Sequence, residues 1–151
     1  MSGQTAGCGM IRPALLLALL ATPALAEPPA AFMDYARAPA VRVIDGDTID
    51  IDGERIRLTS EDGPIDAPEM HRAKCPLELF RAQAARERLI AIMAPNDFTI
   101  ERRGKDRYGR TVGVIYSEGK DVGAELVREG HARPWPKLRK ADRPAWCGGA
   151  E

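Results

Sequence analysis

Between Val41 and Leu58 the chain packs three strand-like runs into one short stretch, and the last two are separated only by Asp52-Gly53. Val41-Arg-Val-Ile44 and Thr48-Ile-Asp-Ile51 alternate or run apolar, and Glu54-Arg-Ile-Arg-Leu58 alternates polar with apolar. Successive side chains on a strand point to opposite faces, so each run can bury one face and leave the other wet. An Asp-Gly pair accepts positive φ at low cost and closes a two-residue antiparallel hairpin. The reading is a three-stranded meander, and the rest of the chain has to cover its apolar face.

The later sequence supplies the cover. Residues 59–75 hold Gly63-Pro64 and Ala67-Pro68, which exclude a continuous helix or a central strand and predict a loop. Pro76 to Met93 is helix-forming throughout, with Pro76 suited to a first turn and Leu79, Ala82, Arg86, Leu89, Ile90 and Met93 near helical spacing. Phe98 to Arg102 and Thr111 to Tyr116 read as two more strands, joined by a basic loop from Arg103 to Arg110. A turn at Ser117 to Lys120 leads to a helix over Val122 to Glu129, with Leu126 and Val127 inward and Gly130 ending it. The order is three strands, helix, two strands, helix, without an internal repeat, and the tail from Pro134 is left unassigned.

A length of 151 residues suits one domain. Residues 1–26 are set apart: Arg12 precedes the apolar run from Ala14, and Pro23-Ala-Leu-Ala26 resembles a cleavage site, the pattern of an export signal. That run is shorter than the roughly 20 apolar residues that span a bilayer, and Cys8 lies ahead of it, so no lipid anchor or lasting membrane association is expected. The expected organisation is a signal over 1–26, a leader over 27–40, a domain over 41–133 and a tail over 134–151. Export to a periplasm or to the medium leaves Cys75 and Cys147, and in an oxidising compartment a disulfide between them is expected, tying the tail to the domain. A zinc site is not expected, because these cysteines and the distant His71 and His131 lack paired-ligand spacing. A monomer is expected.

Lys and Arg number 22, as do Asp and Glu, so there is no general basic coat for nucleic acid. The distribution says more. From Asp45 to Glu69 nine carboxylates meet only Arg55 and Arg57, whereas Arg102 to Arg143 carries twelve basic residues against six acidic ones. Hard divalent cations take carboxylate, carbonyl and water oxygens, and Asp47 and Asp66 could supply two carboxylates if the meander brings the strand ends together. An EF-hand fails on spacing: with Gly53 sixth in the loop, Thr59 stands where a bidentate Glu is required. Guanidinium groups bond phosphate through paired N–H contacts, which makes Arg57 and Arg110 candidates for an anionic substrate, and Glu69 a candidate base. His71 reads as a surface residue, and Met70 and Met93 as core or gap-filling side chains.

The motifs Val43-Ile-Asp-Gly-Asp-Thr-Ile49, Arg57-Leu58, Ile65-Asp-Ala-Pro-Glu69, Asp106-Arg-Tyr-Gly-Arg110 and Leu126-Val-Arg-Glu-Gly130 occur in the order found in the staphylococcal nuclease-like (thermonuclease) family, which the chain resembles from about Val41 to Ala132. The resemblance implies an α+β, mainly β fold, a five-stranded OB-fold barrel with two to three helices, that binds calcium and cleaves DNA or RNA backbones. It further implies Asp47, Asp66 and the Ala67 carbonyl as calcium ligands, Asp45 as an outer acid, Glu69 as base, and Arg57 and Arg110 as phosphate-binding arginines. Tyr108 and Gly109 would shape the turn that aims Arg110.

Two departures matter. Thr59-Ser-Glu-Asp-Gly-Pro64 makes the link from Arg57 to the Asp-x-Pro-Glu motif about four residues longer than in the family, so Arg55 on the same strand face stands as the alternative to Arg57, unless a bulge before Ile65 absorbs the excess. The family's base-stacking tyrosines have no counterpart after Gly130; Trp135, the nearest aromatic, and Tyr108 stand as candidate substrate-binding residues, with burial or packing as the alternative for each. The expected function is an exported calcium-dependent nuclease; the alternatives are a non-catalytic OB-fold module that binds nucleic acid or another partner, and a secreted calcium-binding structural protein.

Overall fold

The computed structural model describes residues 38–148; the expected export signal and most of the leader lie outside them. The meander is present as β1 (Val41–Asp45), β2 (Thr48–Ile51) and β3 (Glu54–Ser60), paired antiparallel in sequence order. Its second turn has positive φ at both Asp52 (50°) and Gly53 (86°), the conformation that Asp-Gly favours. The register of β1 against β2 shifts between Val43 and Asp45, so the chain bends there and Asp45 pairs with Thr48.

The expected loop after Leu58 is mostly strand. β3 continues to Ser60, turns at Glu61-Asp62 and returns as β4 (Gly63–Asp66), with Thr59 opposite Pro64 and Ser60 opposite Gly63. The extra residues therefore build a second hairpin, not a bulge before Ile65. Pro64 is tolerated because its carbonyl, not its missing N–H, is what the sheet uses: it accepts from Trp135 N at 2.7 Å. β4 also pairs with β8 (Arg133–Pro134), so the start of the tail is the next strand beside Asp66.

Helix α1 (Pro76–Met93) follows, capped by Cys75, then the hairpin of β5 (Phe98–Lys105) and β6 (Thr111–Ser117), β7 (Lys120–Asp121) and α2 (Val122–Arg128). β6 lies parallel to β3 on one edge and antiparallel to β5 on the other. The class is α+β and mostly strand, as expected, with two α-helices and a 3-10 turn at Lys140–Asp142 among the described residues. The expected five-stranded OB-fold barrel differs only in detail. Eight strands are present among the described residues, and the sheet stays open because β1 pairs only with β2 and β5 only with β6.

The core gathers Ile49, Ile51, Ile56, Leu58 and Ile65 from the sheet, Leu89 and Met93 from α1, and Val122 and Leu126 from α2. Burying a side chain of this size is worth about 1.5–3 kcal/mol. The inward face of α1 is Glu78, Ala82, Ala85, Leu89 and Met93, whereas Leu79 and Ile90, expected inward, are 39% and 41% exposed. Small residues decide this: a Cβ on Gly46 would sit 2.8 Å from that of Ala85 and 2.9 Å from that of Ala67, so turn, helix and loop meet where only glycine fits. At the end of α2, Gly130 takes φ +79° and lets His131 N bond back to Leu126 O at 2.8 Å. Among the described residues no helix is long and apolar enough to cross a membrane.

Candidate active site

Asp47 closes the β1–β2 turn and is 2% exposed. It is tied on three sides: its carbonyl accepts from Leu58 N at 2.9 Å, Oδ2 accepts from Ala67 N at 2.8 Å, and Oδ1 accepts from Thr48 Oγ1 at 3.0 Å. Asp66 ends β4 and is fully buried. The β3–β4 hairpin brings it back beside Arg57, whose guanidinium joins the two acids. Arg57 Nη1 ion-pairs with Asp47 Oδ1, while Nη2 lies 3.5 Å from Asp66 Oδ1 and donates to Ile65 O at 3.1 Å.

A second guanidinium arrives from the tail. Arg143 Nε donates to Asp66 Oδ1 at 3.0 Å, and Arg143 Nη2 lies 2.9 Å from the same oxygen and 2.5 Å from Glu69 Oε1. The other Asp66 oxygen accepts from Trp146 Nε1 at 3.0 Å. Burial raises the Asp66 carboxyl above its usual range, with the Trp146 hydrogen bond and the Arg143 charge opposing it. Asp45 is pushed up to about 6, first by burial and then by the neighbouring Asp47 charge.

The backbone of the Glu69 loop is held by Glu78. This carboxylate is 2% exposed and accepts from Lys74 N at 2.7 Å and Glu69 N at 3.4 Å. It stands three residues after the helix cap at Cys75, where a capping-box glutamate reaches back to the preceding backbone.

The basic loop orders itself around Asp106, which accepts from Tyr108 N at 2.8 Å, Arg110 N at 3.0 Å and Arg110 Nε at 2.7 Å, with Gly109 at φ +79°. Arg110 Nη1 reaches Thr48 Oγ1 at 3.5 Å, which brings it to the residue next to Asp47. Tyr108 is 68% exposed, with the guanidiniums of Arg107 and Arg110 at 4.7 and 5.5 Å from its ring centre. Beside it lies a cavity of about 340 Å³ lined in part by Arg55, Lys105, Tyr108 and Arg110.

Of the residues singled out in sequence, Asp47, Asp66, Arg57 and Glu69 converge, Ala67 joins them through its N–H, which donates to Asp47 Oδ2, and Arg110 stands at the edge. Arg57, not Arg55, meets the two aspartates; Arg55 is exposed on the cavity side. Cys75 and Cys147 are bonded. Trp135 is half-buried, donates to Arg139 O at 3.0 Å and has Arg143 at 5.8 Å from its ring. His71 is exposed. Sequence reasoning missed Arg143, Trp146 and Glu78. The signals existed: a bridge to Cys75, just after the acidic loop, must bring back whatever precedes Cys147, and Glu78 lies at capping-box spacing from Cys75.

An open, mostly antiparallel sheet that collects three carboxylates and two guanidiniums at one end defines a small α+β protein built around a part-buried acid–arginine cluster. The chain belongs to the staphylococcal nuclease homologue family, which matches residues 55–144. It is similar to Protein ParB of Escherichia coli, 33% identical over 136 residues, 82% of this chain and 67% of that protein. Similarity extends to the succinoglycan biosynthesis protein ExoI of Rhizobium meliloti, 38% identical over 95 residues, 60% of this chain and 48% of the relative. Micrococcal nuclease of Shigella flexneri is 33% identical over 111 residues, 68% of this chain and 59% of that protein. The chain thus spans about half to two thirds of the length of these curated relatives.

Proposed function

We propose that the chain is an exported, calcium-dependent nuclease that hydrolyses phosphodiester bonds in DNA, RNA or both. The observation that carries this reading is the convergence of the buried Asp47 and Asp66 on one guanidinium, with Glu69 beside them. It is supported by similarity to a protein named micrococcal nuclease. The Cys75–Cys147 bridge suits an oxidising compartment, in a periplasm or outside the cell.

The donor types suit a hard cation, which would take the place of the Arg57 guanidinium on Asp47 Oδ1. Asp47 and Asp66 offer carboxylate oxygens and Ala67 a carbonyl; the described residues contain no cage of three acidic, histidine or cysteine side chains, so water would complete the shell, as calcium permits. Charge agrees as well: three carboxylates against Arg57 and Arg143 leave one negative charge, and Asp45 adds a second when ionised. Once bound by Asp47, Asp66 and Ala67, the ion would polarise a phosphoryl oxygen and favour attack at phosphorus. Glu69 takes the proton of the attacking water as its oxygen bonds to phosphorus, and one P–O ester bond breaks, the departing sugar oxygen taking a proton from solvent. Arg110 and Arg57 hold the phosphate through paired N–H contacts, Arg57 exchanging Asp47 for substrate oxygen.

The test is cleavage of single-stranded DNA by the mature domain with calcium, with chelator, and with Glu69→Gln. Calcium-dependent cleavage is expected, and the substitution should lower kcat by about 10²–10⁴-fold. Full activity in chelator, or an unchanged kcat in the variant, rejects the mechanism. Binding of the strand without cleavage would show a nucleic-acid-binding module.

A further inference from the structure

Arg143 lies outside every motif that led to the site, yet it makes the only side-chain hydrogen bond or ion pair of Glu69 among the described residues. Glutamate has three rotatable side-chain bonds, and a partly exposed one with no partner samples many rotamers. Here one guanidinium nitrogen spans Glu69 Oε1 at 2.5 Å and Asp66 Oδ1 at 2.9 Å, while Nε of the same group bonds Asp66 at 3.0 Å. The two carboxylates are thereby held at a fixed separation by a planar fork. An ammonium has no such geometry.

The tail that carries Arg143 is anchored independently of this contact. Trp146 is 4% exposed and donates to Asp66 Oδ2 at 3.0 Å, and Arg133 stacks over its ring at 4.7 Å. Arg133 Nη1 donates to Ala145 O at 2.8 Å and Arg81 Nη1 to Trp146 O at 2.6 Å. Cys147 is bonded to Cys75, the cap of the helix that follows the Glu69 loop. Anchors on both sides of the Glu69 loop thus fix the segment from Arg143 to Cys147 before any substrate arrives.

We propose that Arg143 is a positioning residue of the site: it orients the Glu69 carboxylate against Asp66, and the disulfide-anchored tail presents it there. This rests on the nuclease reading above for its kinetic consequence but not for its structural one. A residue that only orients the base should matter to turnover more than to binding.

Two measurements on wild type, Arg143→Ala and Arg143→Lys decide it, with unfolding midpoints confirming that each folds. The first is the carbon-13 resonance of the Glu69 side-chain carboxylate in metal-free protein at neutral pH, assigned by its loss in Glu69→Gln. It should move in Arg143→Ala and return part of the way in Arg143→Lys. The second separates kcat from KM on single-stranded DNA: Arg143→Ala should lose about 10–100-fold in kcat with KM within about threefold, the size of effect that misplacement of a reacting group produces. A raised KM with kcat kept would make Arg143 a substrate contact and overturn the proposal. So would an unmoved resonance or a wild-type kcat in Arg143→Ala. If the wild-type chain cleaves nothing while the resonance still depends on Arg143, the nuclease reading fails and the positioning of Glu69 stands.

Discussion

Removing the Cys75–Cys147 bridge tests how the tail is held. The bond spans 72 residues of sequence, and closing a loop of that length lowers the entropy of the unfolded chain by an amount worth about 4.4 kcal/mol at room temperature in the chain-entropy account. For a domain of about 110 residues this corresponds to a fall in Tm of roughly 15–20 °C. The variant has to be chosen with care, because the Cys75 sulfur also caps α1, accepting from Glu78 N at 3.3 Å. Cys75→Ser keeps an acceptor at the cap, so Cys75→Ser with Cys147→Ala isolates the cross-link. Urea unfolding at pH 7 should show the midpoint falling and the slope m rising, since the unfolded chain without the cross-link is less compact and exposes more surface. In the folded variant the tryptophan emission should also shift to longer wavelength, because Trp146 is buried only while the tail lies on Asp66. A loss below about 1 kcal/mol with unchanged emission would refute the reasoning, since it would mean that the contacts of Arg133, Arg81 and Arg143 hold the tail without the bond.

Two other expectations are narrower. Gly46→Ala places a methyl group 2.8 Å from Ala85 Cβ and 2.9 Å from Ala67 Cβ, so it should destabilise the fold by about 1–3 kcal/mol and weaken cleavage at the same time by moving the Ala67 loop, as checked by urea unfolding and single-turnover kinetics. Glu54 sits near pKa 2, below its usual 4.5, through hydrogen bonds from Arg102 first and Thr111 second. A depressed pKa stabilises the fold above about pH 4.5 and stops doing so as pH falls toward about 2, so Glu54→Gln should be less stable than wild type at pH 7 by no more than about 1 kcal/mol, given the partial exposure of the pair, and equal to it near pH 2. A gap that widens on acidification would contradict the assignment.

The strands and helices were legible where one local rule acted alone. Alternation marked β1 to β3, Asp52-Gly53 marked their turn, and Gly130 marked the end of α2 because each needs only its own neighbours. β4 was hidden because Gly63 and Pro64 are locally poor strand formers, and what makes the segment a strand is pairing on both sides, with β3 and with a two-residue strand some seventy positions later. Tertiary pairing overrode propensity there. The inward face of α1 was misjudged for a related reason. Helical spacing grouped Leu79 and Ile90 with Ala82, Leu89 and Met93, but the turn and loop that meet the helix do so at Gly46 and Ala67, so it turns its alanines inward and leaves Leu79 and Ile90 to solvent.

The candidate site divides along the same line. Asp47, Asp66, Glu69, Arg57 and Arg110 sit in short motifs, so spacing exposes them. Their counter-groups do not. A buried carboxylate is costly in a medium of low dielectric unless hydrogen bonds and opposite charge reach it, and that requirement sets no limit on where in the chain the donor comes from. Asp66, fully buried, is served by Arg57 nine residues away, by Arg143 and by Trp146. Only the cysteines could have pointed to the distant pair. Cys75 follows the acidic loop by six residues and Cys147 follows Arg143 by four, so a covalent bond between them returns the tail to the end of that loop, where Arg143 and the Trp146 indole N–H then reach Asp66. Where a sequence shows two acids bound for burial and one local arginine to meet them, the missing charge is best sought beside whatever the disulfide brings back.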